Sequence, residues 1–196
     1  LSLVLLNKGA KYEISKFRNP AIKQGIEDNW DEIANSIRFV KDFIYGKTYL
    51  KTDKTLPSYL SLIPMIYFKY HFGDKWTNET EYAEYLNKVN LTGVFGGVSD
   101  NFTDSLIKNI SENKDFRIKE LYGVIKSKGK SMEIRDSSLL GIHYSSKELH
   151  LLLNLWYGFN YQPSLNENKP QVDHIFPQSV LKKIKIENPE TGKRNI

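Results

Sequence analysis

Apolar residues recur mainly at spacings of three and four between residues 29 and 157, which is the period of a helix face. The first such stretch, residues 29–45, ends at Gly46, a typical helix stop. Residues 1–20 have no clear period, but Pro20 is suited to the first turn of a short helix. The inner stripe predicted for residues 29–45 comprises Trp30, Ile33, Ala34, Ile37, Val40, Lys41 and Ile44.

Residues 59–72 are apolar on nearly all sides, which predicts the central buried helix of the molecule. Ser58 precedes this segment as a candidate cap, and Gly73 ends it. Pro64 lies inside the segment, so we expect it to kink or divide the helix.

Three further helices are predicted between residues 77 and 125. The first is capped by Thr77 or Asn78, the second begins at Ser99 or Asp100, and the third begins at Asp115. The inner stripe of the first consists of Tyr82, Tyr85, Leu86 and Val89. The Gly-rich residues 91–98 have no preceding strand and no Lys-Ser/Thr ending, which favours a turn over a phosphate-binding loop. Residues 126–130 form a small basic loop.

A last helix is predicted over residues 149–157, where the dense apolar content indicates burial. Ser145 and Glu148 have the spacing of a capping box in front of it. No histidine in the helical region has a second ligand at metal spacing, so packing or capping roles are favoured for His71, His143 and His150. Trp30, Trp76 and Trp156 are predicted to be core residues.

Composition supports one sizeable domain. The chain has 196 residues, of which 40% are hydrophobic and 13% aromatic, enough for a core. These features predict a mainly α fold, a multi-helix bundle-like domain over residues 1–161. With no cysteine, disulfides and thiolate metal sites are excluded, and a reducing cytoplasm fits. No apolar run approaches the roughly 20 residues of a membrane span, so no membrane partner is expected.

The charge balance permits a polyanionic partner without requiring one. The net charge is +5 and the pI is about 9.1. A lysine-rich genome accounts for this excess equally well. Because the chain begins at Leu1 rather than methionine, we expect it to be a piece of a longer protein.

Residues 162–170 are polar and contain two prolines, which is typical of a linker. Beyond them, Asp173 and His174 stand in the string Val-Asp-His-Ile-Phe-Pro-Gln-Ser at residues 172–179. A carboxylate is a hard ligand for Mg²⁺, and an imidazole can take a proton from water near pH 7. Phosphodiester hydrolysis uses both groups. The alternative is a structural turn in which the carboxylate holds the imidazole.

The string at residues 172–179 resembles the first half of the HNH (ββα-metal) endonuclease motif. The form is similar to that of GmrSD-type restriction proteins and of CRISPR effector nucleases. Two strings in the body, residues 56–64 and 91–102, resemble the helical linker region of GmrSD-type proteins. The resemblance implies that Asp173 binds Mg²⁺ or another divalent metal and that His174 is the general base.

The resemblance also implies an incomplete site. The family takes an Asn and a further His or Asn from a helix after the hairpin, and only Asn195 remains here as a candidate metal ligand. We therefore expect residues 171–196 to be the N-terminal part of an HNH segment. Any NTP site is expected only in the family's N-terminal domain, because its Asp-Gly-Gln-Gln-Arg motif does not occur in this sequence.

The function that follows is part of a bacterial, cytoplasmic DNA endonuclease in restriction or phage defence, with the helical body as a linker or DNA-binding scaffold. The sequence leaves the oligomeric state open. A non-catalytic helical binding or scaffold module is the alternative. The candidate phosphate contacts flank the predicted metal site and are Lys182, Lys183, Lys185, Lys193 and Arg194.

Overall fold

The computed structural model describes residues 1–50, 56–97, 100–143 and 146–158, together with two short strands at 186–187 and 194–195. These residues are mainly helical, which confirms the predicted fold class at that level. The helices are α1 (Ser2–Leu5), α2 (Ile14–Arg18), α3 (Pro20–Asp28), α4 (Trp30–Lys47), α5 (Ile63–Phe72), α6 (Glu79–Leu91), α7 (Asp100–Asn113), α8 (Ile118–Ser127), α9 (Asp136–Leu140) and α10 (Lys147–Tyr157). The strands are β1 (Ile186–Glu187) and β2 (Arg194–Asn195).

Helix α5 is the centre of the helical body. It packs against α1, α4 and α7, and Met65, Tyr67 and Phe68 are almost completely buried. A 3-10 turn, Tyr59–Leu62, precedes α5, and the Ser58 hydroxyl caps this turn by accepting a hydrogen bond from the Leu60 amide. Pro64 lies in the first turn of α5, where its missing N–H costs nothing. The predicted segment is therefore divided in front of Pro64.

Helix α6 buries the stripe that its spacing predicts, and α7 and α8 also bury apolar residues. Tyr82, Tyr85, Leu86 and Val89 of α6 are all buried. The predicted start of α8 was wrong, because the helix begins at Ile118 rather than Asp115. The Asp115 carboxylate instead accepts a hydrogen bond from the neighbouring Phe116 amide, outside the helix.

The stripe predicted for α4 was only partly correct. Ile33 and Val40 are buried, but Trp30 and Ile37 are 57% and 38% exposed. Compared with the predicted stripe, the buried face of α4 is shifted around the helix toward Phe43. The Phe43 ring lies edge-on to the Trp76 ring, with the two ring centroids 5.3 Å apart. The packing of Phe43 against Trp76 thus determines which part of the apolar surface of α4 is covered.

The N-terminal residues, which lacked a period in the sequence, contribute a buried helix. Leu3, Val4 and Leu5 of α1 are all buried, although four residues are too few to show periodicity. Pro20 is in the first turn of α3, as predicted, and the Asn19 side chain caps that helix.

Helix α10 packs against α6 through one face only, so the prediction of general burial was wrong. Leu151 is completely buried, whereas Trp156 and Tyr157 are 77% and 62% exposed. The N-cap of α10 is Ser146, which makes no capping hydrogen bond through its side chain, so the predicted capping box is not formed at this residue. Ser145 lies outside the described residues.

The Gly-rich connection after α6 is a turn, as predicted. Residues 92–97 turn away from the end of α6, and Gly93 and Gly97 both have φ of +61°. Val94 and Phe95 are buried in this turn, so its glycines allow a tight reversal around two core side chains.

The predicted linker at 162–170 lies outside the described residues, and the boundary at residue 161 stays a prediction.

Candidate functional site

Most residues of the predicted nuclease site lie outside the described part of the chain. They are Asp173, His174, Lys182, Lys183, Lys185 and Lys193. Arg194 and Asn195 form strand β2, for which the backbone pairing is described. The roles of all eight residues therefore stay predictions.

The two strands near the C-terminus form an antiparallel pair. Ile186 is paired with Asn195, and Glu187 is paired with Arg194. This pairing brings β1, which follows the predicted base and metal ligand in sequence, next to the strand that contains the candidate ligand Asn195. In the family pattern the corresponding Asn comes from a helix after the hairpin, whereas Asn195 lies in a strand, so the pairing leaves the HNH segment a prediction.

The helical body offers no comparable cluster. Among the described residues, no group of three or more His, Cys, Asp or Glu side chains is arranged to hold a metal ion. The role of each histidine in the helical body therefore depends on its own surroundings.

His71 has the surroundings of a packing histidine. Its Nε2 lies 2.8 Å from the Leu5 carbonyl oxygen, and its ring centroid is 4.3 Å from that of Tyr67. Burial lowers the pKa of His71; the hydrogen bond to Leu5 and the charge of Glu32 oppose this effect only in part. The ring is thus held neutral between α1 and α5, in agreement with the packing role that the sequence predicts. His150 of α10 is buried as well.

An open groove of about 790 Å³ lies between α4 and α5, beside His71. Asp31 and Glu32 line one side, whereas Lys69 lies on the other with its Nζ 4.0 Å from the centroid of the Phe39 ring. The described residues that line the groove include three carboxylates, those of Asp31, Glu32 and Asp74, against the one ammonium of Lys69, so the groove is net acidic. The lysine is already engaged in a cation–π contact. Sequence reasoning missed this groove because it is formed by two segments that are 30 or more positions apart in the chain.

A second group of charged residues, also between distant segments, lies where the C-terminal end of α8 meets the Gly-rich turn at 92–97. The Lys130 ammonium donates a hydrogen bond to the Gly96 carbonyl oxygen at 3.0 Å. The sequence revealed the basic loop at 126–130 but not its contact with the glycines.

Comparison of the chain with protein-family models, with curated proteins and with solved structures finds no match. Within the part of the chain that the structure describes, no helix has both the length and the apolar character needed to cross a membrane.

Proposed function

We propose that this chain is part of a bacterial DNA endonuclease of the HNH type, which hydrolyses phosphodiester bonds in restriction or phage defence in the cytoplasm. The observation that carries the proposal is the string Val-Asp-His-Ile-Phe-Pro-Gln-Ser at residues 172–179.

In this proposal Asp173 and Asn195 hold a divalent metal such as Mg²⁺. Their carboxylate and amide oxygens are the hard donors that Mg²⁺ prefers, so the donor chemistry fits the ion. When bound, the ion supplies charge neutralisation at the phosphate. The family that the string resembles completes this site with an Asn, for which Asn195 is the candidate, and with a further His or Asn.

His174 is the proposed general base. Its neutral imidazole takes a proton from a water molecule, whose oxygen then forms a new bond to phosphorus. The bond from phosphorus to the leaving ester oxygen breaks, and that oxygen takes a proton from solvent. Lys182, Lys183 and Lys185, together with Lys193 and Arg194, contact neighbouring phosphates in this proposal and hold the strand in register.

The test is a cleavage assay of the complete gene product that contains this chain, on plasmid and phage DNA with Mg²⁺ or Mn²⁺. Replacement of a general base or a metal ligand should lower the cutting rate by about 100-fold or more, so we expect this result for His174→Ala and Asp173→Asn. His143→Ala is the matched control, because His143 is an exposed histidine of the helical body. Unchanged cutting by the His174→Ala protein would refute the catalytic role.

One observation favours a non-catalytic binding module as a second candidate. Trp156 and Tyr157 are 77% and 62% exposed at the end of α10, and large aromatic side chains often anchor protein–protein interfaces. In that case Asp173 and His174 form a structural turn. The same assay separates the candidates: a folded complete gene product that cuts no DNA with either metal supports the binding module, whereas loss of cutting in the His174→Ala protein supports the nuclease.

A further inference from the structure

Helix α8 ends in a group of lysines that point to an anionic partner. Lys126 in its last turn and Lys128 just after it are exposed, and neither forms an ion pair with any described residue. An exposed lysine beside a carboxylate is already neutralised. Lys126 and Lys128 are not neutralised in this way, so their charge remains available to a ligand.

The loop that carries these lysines is fixed by hydrogen bonds. The Lys128 amide donates to the Val124 and Ile125 carbonyls, and the Gly129 amide donates to the Lys126 carbonyl. Gly129 has φ of +75°, which a residue with a side chain rarely adopts. The ammonium groups are thus attached to a backbone whose path is set before any ligand arrives.

Two further lysines extend the same surface. Lys130 bridges to the Gly-rich turn by donating to the Gly96 carbonyl oxygen. The Lys88 ammonium lies 4.8 Å from the ring centroid of Tyr122, which is one helical turn before Lys126 on α8. We call Lys88, Lys126, Lys128 and Lys130, with the turn at 92–97, the α8 basic surface.

Two carboxylates of α6 lie near this surface. Glu81 and Glu84 are close enough to the Tyr122 hydroxyl to help burial raise its pKa. Glu84 is also one helical turn before Lys88 on α6, so the positive charge of the surface comes mainly from Lys126 and Lys128. Glu133 follows the surface in sequence, but it is paired with Arg135 and adds no net charge.

The shape of the α8 basic surface suits a polymer backbone. Gly93, Gly96 and Gly97 are exposed and carry no side chain, so a rigid polyanion can approach the turn closely. Ammonium groups contact phosphates as point charges, without reading base sequence. We infer that the α8 basic surface binds the phosphodiester backbone of DNA. The inference rests on the proposed function and names the surface by which the helical body holds the DNA that the C-terminal segment cuts.

The experiment measures binding rather than cutting. Fluorescence anisotropy of a labelled DNA duplex with the full 196-residue chain, without divalent metal, gives the dissociation constant at several salt concentrations. The test variant is K126Q/K128Q. The matched control is K41Q/K114Q, which makes the same change in net charge on other elements, at lysines that are also exposed and free of ion pairs within the described residues.

Each lost phosphate contact lowers the slope of log K against log salt by about 0.9, so the slope should fall by about 2 in K126Q/K128Q and stay near the wild-type value in K41Q/K114Q. Equal weakening in both variants, no weakening in either, or no binding by the wild-type chain would each overturn the inference. The two proposals can fail separately. A chain that binds DNA through this surface while the complete gene product never cuts refutes the nuclease alone. Cutting combined with wild-type binding by K126Q/K128Q refutes the surface alone.

Discussion

Two tyrosine hydroxyls in the core differ in their hydrogen bonding. The Tyr67 hydroxyl donates to Asn7 Oδ1 at 2.8 Å. The Tyr85 hydroxyl is completely buried and has no hydrogen-bond partner among the described residues, and burial raises its pKa well above the ordinary value. A buried hydroxyl without a partner loses its hydration on folding and regains nothing, so Tyr85 destabilises the fold through its oxygen while its ring stabilises it.

Removal of each hydroxyl should therefore have opposite effects on stability. We expect Tyr85→Phe to raise the free energy of unfolding by about 1 kcal/mol, because it removes an unsatisfied polar group. Tyr67→Phe should lower it by about 1 kcal/mol, because it breaks a formed hydrogen bond and leaves Asn7 without its donor. Urea unfolding of the two variants beside the wild type measures both changes. A loss of stability in Tyr85→Phe would show that its hydroxyl is satisfied.

At the scale of elements, two helices of similar length begin with contrasting caps. Asn78 precedes α6, and its Oδ1 accepts a hydrogen bond from the Glu81 amide at 3.2 Å. Ser146 precedes α10, and its hydroxyl makes no such bond. Both residue types are favoured at N-caps, so sequence preference alone predicts that the two caps contribute equally to stability.

The structure leads to a different expectation for the two caps. Asn78→Ala should lower the free energy of unfolding by about 1 kcal/mol, the usual loss for a working N-cap. Ser146→Ala should change it by only about a few tenths of a kcal/mol or less, because no capping bond is lost. Thermal unfolding followed by circular dichroism compares the two substitutions directly. Similar losses for both would mean that the Ser146 hydroxyl caps α10 in solution.

Periodicity predicted the buried face of α6 but not that of α4, and the difference is physical. In α6 the apolar residues occupy one side, so only one orientation buries them. In α4 the apolar and aromatic residues extend around more than half of the helix, from Phe39 through Ile33 to Tyr45. Which part is covered depends on the partner side chains, here Trp76, which comes 46 positions after Trp30 and whose place no local pattern reveals.

At the scale of the molecule, the helical body could be predicted from the sequence more fully than the candidate site. The longer helices follow from local spacing, whereas the short helices α1, α2 and α9 were missed. The four residues of α1 depend on α5 for their burial. The groove beside His71 and the contact between Lys130 and Gly96 join segments far apart in the chain, so no local pattern indicates them. The roles of Asp173 and His174 are predicted from eight consecutive residues that resemble a motif.

The extent of the helical body leads to a prediction about shortened chains. Leu151 of α10 is the last buried apolar residue of the described core, and the Lys147 and Asn154 side chains donate hydrogen bonds to the Leu56 and Tyr49 carbonyls. Each of these contacts lies before the predicted boundary at residue 161. A chain ending there keeps all of these contacts, so we expect its unfolding free energy to stay within about 0.5 kcal/mol of that of the full chain.

The control keeps the length and removes one core side chain. Leu151→Ala in the full chain should lower the free energy of unfolding by about 2–5 kcal/mol, because it opens a cavity where α10 meets the core. Urea unfolding of both proteins gives the comparison. A shortened chain that loses more than about 1 kcal/mol would move the boundary beyond residue 161, because residues after it would then contribute contacts of the size that buried side chains provide.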